Sequence, residues 1–286
     1  MLSSLYQHRL LSTVQLHALH TPRVGVGWAR RVLGLLADRG LVDRVQTPGT
    51  LSNWFITDTG ADAVETAGPR AEPRRRVSSR AQAEGPLRAH TLAVNDVGIA
   101  FVNAARARGD ECGPESWRHE IAHPITPPRG RRPAELLIAD ALLTYLQVER
   151  DGGIVLHQRW IELDRGTARP AEQLASKITR YTRLRHHTLP GQDKPVWRSH
   201  YRSFPHLLIV LADQPPHRTH QRIQRTLALH HSDPAKDQPG SIPVSFVTLE
   251  QLTRHGPFAP IFTSAEHPEQ PVDWLDHTTS QARTPT

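Results

Sequence analysis

The stretch WIELDRGTARPAEQLASKITRY, Trp160 to Tyr181, decides how the second half of this chain is read. It opens as an apolar strand broken by two carboxylates, Glu162 and Asp164, and turns at Gly166. It continues as a helix over 170–185, with Leu174, Ile178, Tyr181 and Leu184 at three- and four-residue spacing. Pro170 suits a helix start, where its missing N–H would have had no partner anyway. Alternation along a strand puts Glu162 and Asp164 on one face. Acids placed there hold a metal, hold the fold through ion pairs, or mark the strand's exit to solvent.

Working outward, the neighbouring segments also alternate between strand and helix. Leu136 to Tyr145 and Ile154 to Asp164 read as strands joined by a glycine turn at Gly152-Gly153. Phe204 to Leu211 is the most apolar run of the chain, as a strand buried on both faces requires. A helix from Thr219 to Leu229 and a strand from Val244 to Leu249 follow. Upstream, Leu87 to Arg108 forms a long helix closed by Gly109, and Trp117 to Ile121, with Glu120, forms a further strand. An α/β sheet domain over 87–265 is expected, with a polar tail over 266–286.

Residues 1–67 have a different rhythm. Leu5, Leu10 and Leu11 give a first apolar face, Ser12 and Thr13 cap a second short helix, and a third runs from Gly27 to Arg39. Two short strands flank the turn Thr47-Pro48-Gly49-Thr50, and a helix from Thr59 to Thr66 closes the unit. Three helices followed by a two-stranded ribbon is the order of a winged helix-turn-helix. In that arrangement Arg23, Trp28, Arg30 and Arg31 face a DNA groove and its phosphates, and Arg44 lies in the wing. The competing reading is a small helical dimerisation module with a solvated basic face. A basic linker, 68–86, carries Arg74, Arg75 and Arg76, which either track a phosphate backbone or are simply solvated.

Composition narrows the choices. Among 286 residues with a formal charge of +7, lysine occurs only at Lys177, Lys194 and Lys236, so arginine carries the excess. Arginine's planar fork matches phosphate, which favours double-stranded DNA as partner. A single cysteine, Cys112, excludes an intrachain disulfide and a cysteine-cluster zinc site, and fits a cytoplasmic protein. No apolar run approaches the length of a membrane span, so no membrane partner is expected.

If the two central strands pair, Asp140 converges with Glu162 and Asp164, and such hard oxygen ligands suit magnesium or manganese. Lys177, one turn before Tyr181 on the following helix, then supplies a cation beside them. The alternative is equally open: Asp140 forms a structural ion pair, and Glu162 and Asp164 bind arginines.

The winged-helix order, LRAHTLAVNDVGIAFVNAA at Leu87 to Ala105, WRHE at Trp117 to Glu120, LLIADALLTY at Leu136 to Tyr145 and, above all, the opening stretch resemble the replication-relaxation family of actinobacterial plasmids and integrative elements. The resemblance covers roughly residues 1 to 260. It implies a restriction-endonuclease-like second domain and a role in plasmid replication, transfer or DNA relaxation. In that nuclease fold Asp140 takes the place of the aspartate, with Ala139 where proline is usual. Glu162 takes the place of the glutamate, and Asp164 stands where a lysine is usual. A carboxylate cannot replace that cation unless Lys177 supplies it.

Three functions are therefore expected in competition. The first is a sequence- or structure-selective DNA-binding protein of a mobile element. The second is a magnesium- or manganese-dependent endonuclease or nickase using Asp140, Glu162, Asp164 and Lys177. The third is a transcriptional repressor whose sheet domain assembles a homodimer, without a cofactor.

Overall fold

The computed structural model describes residues 1–46, 52–67, 80–125, 135–166, 171–189, 191–232 and 242–275. The turn expected at Thr47 to Thr50 and the arginines Arg74, Arg75 and Arg76 lie outside them. Among the described residues the chain is mixed α/β, with nine α-helices, a three-stranded sheet and a mixed six-stranded sheet.

By its internal contacts the chain divides into two units, Met1–His119 and Glu120–Thr286. The first begins with α1 (Leu2–His8), β1 (Leu11–Ser12), α2 (Thr13–His20) and α3 (Val26–Asp38). The strands β2 (Val42–Val45) and β3 (Asn53–Ile56) follow, then α4 (Asp58–Ala67) and the short α5 (Arg80–Ala83). β1 and β2 both pair antiparallel with β3, giving the order β1-β3-β2. Leu10 and Leu11, expected on the face of α1, leave it instead, because Arg9 takes a left-handed φ of 68° and ends the helix. The helix α2 starts where the sequence requires. Ser12 accepts from the Gln15 backbone N–H, and the Gln15 side chain accepts from the Ser12 N–H, a reciprocal capping box. The face of α3 that is buried carries Ala29 and Leu33, and Leu5, Leu11, Leu16 and Ile56 of the same unit are buried as well.

The long helix α6 (Arg88–Arg108) falls within the first unit by its contacts. Its polar side chains explain why. Gln15 donates to the Leu92 carbonyl and to Asp96, Asn95 donates to the Leu10 carbonyl at 2.8 Å, and Arg106 donates to the Ala18 carbonyl at 2.5 Å. Trp117 closes the arrangement, its indole N–H donating to Asn95 Oδ1 at 3.2 Å and its ring lying flat over Gly98.

The second unit is built on a sheet of order β4-β5-β6-β7-β8-β9. Its strands are β4 (Trp117–Pro124, which starts in the first unit), β5 (Leu136–Val148), β6 (Ile154–Asp164), β7 (His206–Leu211), β8 (Val244–Thr248) and β9 (Thr263–Ser264). β5 and β6 are antiparallel, β6, β7 and β8 run parallel, and β9 returns antiparallel. The crossovers between parallel strands carry α7 (Ala171–His186) and α8 (Pro216–His231), which pack against each other, and α9 (Leu249–His255) follows β8. Leu174, Ile178, Tyr181 and Leu184 of α7 enter a core with Leu142, Trp160, Leu207, Ile209 and Phe246. That layering places the α7 side chains directly over the end of β6, where the two acids stand.

Candidate functional site

The regular pairing of β5 with β6 starts at Ala141 opposite Ile161 and runs away from the acids. On the other side of that pair the phase of β5 changes. Leu137 and Ala139 are buried in the same core as Leu142 and Trp160, so strict alternation fails between Ala139 and Leu142. Asp140 sits at this change of phase. Its Oδ2 accepts the Leu163 backbone N–H at 2.8 Å, where a regular ladder would have used a carbonyl. Departures of this kind re-aim side chains and end pairing.

Glu162, only 3% exposed, lies beside it. Lys177 and Tyr181 are one helical turn apart on α7 and so share a face. Both reach Glu162: the Lys177 ammonium donates to Oε2, and the Tyr181 hydroxyl donates to Oε1 at 2.5 Å. Burial, and then the nearby charge of Asp140, push the Glu162 carboxyl up to about 8, against the opposing pull of Lys177 and Tyr181. The Tyr181 phenol is raised well above its ordinary range by burial, with the Glu162 charge adding to it. Asp140, Glu162, Lys177 and Tyr181 thus form one electrostatically linked cluster.

Asp164, expected as a third oxygen ligand, turns elsewhere. Arg222 of α8 brings its Nε within 2.5 Å of Asp164 Oδ2, and the Gly166 backbone N–H donates to Oδ1 at 3.0 Å. Asp164 is thus engaged by one ion pair and one backbone hydrogen bond, away from Asp140. Among the described residues no three of His, Cys, Asp and Glu converge as metal ligands. The oxygen donors that do converge are the two carboxylates of Asp140 and Glu162. Magnesium is commonly held by one or two carboxylates with water completing its shell, but both Glu162 oxygens already accept, from Lys177 and Tyr181, so an ion here would have to displace one of those donors. Sequence reasoning did not find Tyr181 as a Glu162 partner or Arg222 as an Asp164 partner. Position 222 carried a usable signal, being three residues from Thr219 and four from Thr226, both buried on the inner face of α8.

The first unit presents a different surface. Arg23, Arg30 and Arg31 are exposed, and Trp28 keeps 45% of its surface accessible. They lie just before α3 and in its first turns. No acidic residue occupies the first turn, whose free N–H groups and dipole favour an anion. Among the described residues these three arginines enter no ion pair. Arg44 is exposed on β2 with its guanidinium 5.4 Å from the Trp54 ring centroid.

No helix among the described residues is long and apolar enough to cross a membrane. No curated protein matches the chain, and no solved structure does. A family model described as replication-relaxation matches residues 2–195, which takes in the three-stranded sheet, α6, both acid-bearing strands and α7. The chain belongs to the replication-relaxation family, which implies an interaction with DNA and a role in replication and relaxation.

Proposed function

We propose that the protein is a selective DNA-binding protein in which the first unit is a winged helix-turn-helix and α3 enters the groove. The observation that carries this reading is the exposed start of α3, where Arg23, Arg30 and Arg31 stand without acidic partners among the described residues while Trp28 is left accessible. The element order helix, strand, helix, helix, hairpin supports the assignment. Binding of labelled duplex DNA as a function of salt tests it. Arg30→Ala with Arg31→Ala should weaken binding and lower the slope of log affinity against log salt by about 2, because each lost phosphate contact releases roughly 0.9 counterion fewer. An unchanged slope would remove α3 from the interface.

A second reading, metal-assisted phosphodiester cleavage in a nuclease-like second unit, is favoured by one specific observation. Lys177 donates to Glu162 beside Asp140, the position at which the opening stretch lacks a cation because Asp164 replaces it. Asp140 and Glu162 would hold the magnesium or manganese ion, and Lys177 would orient the attacking water. When bound, such an ion lowers the pKa of water and offsets charge on the phosphate. Tyr181 and Lys177 meanwhile fix the Glu162 carboxylate in one orientation. The repressor reading has no observation of comparable specificity.

A further inference from the structure

The second unit contains a basic cleft that neither the family match nor the acid cluster accounts for. It encloses about 550 Å³ and is lined by Asp193, Lys194, Pro195, Arg198, Tyr201 and Arg202. Three of these residues, Arg198, Tyr201 and Arg202, lie beyond position 195, where the family match ends. The segment is folded tightly. Val196 N–H donates to the His187 carbonyl at 2.9 Å, the Trp197 indole donates to the Arg185 carbonyl at 2.9 Å, and a single 3-10 turn spans Val196–Ser199. Trp197, Tyr201 and Phe204 are buried beneath it, and Tyr201 Oη lies 2.9 Å from His123 Nε2. The backbone that carries these exposed cations is therefore fixed before any partner arrives.

Four arginines elsewhere in the same unit are neutralised locally. Arg165, Arg180, Arg222 and Arg225 each meet a carboxylate, from Asp213, Glu135, Asp164 and Glu172 respectively. Among the described residues, Arg185, Lys194, Arg198 and Arg202 meet none. Instead, the guanidinium of Arg198 sits 4.8 Å from the Trp197 ring centroid, and that of Arg185 sits 5.7 Å from Phe204. The Arg185 group is also lowered from its ordinary range, by burial first and by the charge of Arg198 second. Two like charges held near each other by aromatic stacking, with one nearby acid, Asp193, make a surface that an anion relieves. A stacked arginine keeps its fork free for two parallel bonds to phosphate.

We propose that this cleft is a second DNA contact, in which Lys194, Arg198 and Arg202 grip a phosphodiester backbone without reading bases. It rests on the DNA-binding reading above and adds a contact independent of α3. The location suits a backbone that passes the acid cluster. Trp160, two residues before Glu162 on the same face of β6, meets Tyr201 edge-on at 5.3 Å and Tyr181 at 5.9 Å, so the cleft's floor and the Glu162 cluster share one wall.

The full-length chain with a labelled random-sequence duplex of about 30 base pairs tests this through the salt slope of binding. Lys194→Gln, Arg198→Gln and Arg202→Gln together should lower the slope by about 2 to 3, at roughly 0.9 per phosphate contact. Arg198→Lys with Arg202→Lys, which keeps the charge, should leave the slope near that of the wild type. Because Arg198 also packs on Trp197, a second variant avoids it: Lys194→Glu with Arg202→Glu should weaken binding while unfolding at the wild-type temperature. A wild-type slope in the glutamine variant, alongside a reduced slope in Arg30→Ala with Arg31→Ala, overturns the cleft and leaves the α3 reading standing. Absence of duplex binding by the wild-type chain overturns both.

Discussion

Glu162 is a carboxyl from which water is almost wholly removed, and its neighbours decide what it can do. Its pKa is moved from an ordinary 4.5 to about 8, chiefly by burial. Between those values the unfolded chain has released a proton that the folded chain retains. The group's contribution to stability therefore falls as pH rises through that window, since the folded state binds more protons there. Urea denaturation across the window should show this decline, and Glu162→Gln should flatten it. Lys177→Ala leaves the carboxyl with Tyr181 as its hydrogen-bonding partner. At about pH 9, where Lys177 offsets the Glu162 charge, the variant should lose more stability than at lower pH, because without the ammonium the buried carboxyl must take up a proton. The loss should shrink at about pH 5, where the carboxyl is neutral. Equal loss at both values would mean that Lys177 acts by packing its chain rather than by its charge.

At the scale of the element, two local rules are strong enough to test. The capping box at the start of α2 depends on the Ser12 hydroxyl, and Ser12→Ala should cost about 1 kcal/mol in thermal or chemical unfolding. On α6, a methyl group added at Gly98 would lie 2.5 Å from Trp117 Cδ2 and Cε2, both part of a rigid ring buried in the same unit. Gly98→Ala should therefore destabilise by about 1 to 3 kcal/mol through overpacking, although alanine is the better helix former. A more stable variant would show that the indole can shift. The helices that were legible in the sequence share a physical basis. Strand β6 was expected over 154–164 and occurs there, and α7 was expected over 170–185 and is described from Ala171 to His186. Long periodic segments announce themselves. The two-residue strands β1 and β9 did not, because strands that short are made by their partners, Trp54 and Asn53 for the first, Phe246 and Ser245 for the second.

For the whole molecule, a formal charge of +7 would by itself give sequence-independent attraction to DNA that fades with salt. The proposals above differ from that background because they assign the salt dependence to particular arginines. The cleavage reading has its own test on the intact protein. Supercoiled plasmid incubated with magnesium or manganese should be nicked by the wild type and left intact by Asp140→Ala and by Glu162→Ala, with duplex binding retained. Plasmid left intact by the wild type under all conditions would leave the acid cluster a structural feature.

The linear chain determined the longer strands β5 to β8 and the helices α7 and α8 of the second unit, the excess of arginine, and the short connection between Glu162 and a helix bearing Lys177. Those follow from periodicity, charge and a short connection, all of which are local. It left open which acids share a partner, and that was settled by packing. Asp164 stands two residues from Glu162 on the same strand face, yet the nearest cation over it comes from α8, so the pair separates into two different ion pairs. The contacts of α6 with the first residues of the chain have the same character, since Gln15, Asn95 and Arg106 find partners far along the chain. A buried polar group must find its hydrogen bonds wherever folding brings them, and sequence spacing does not encode that distance.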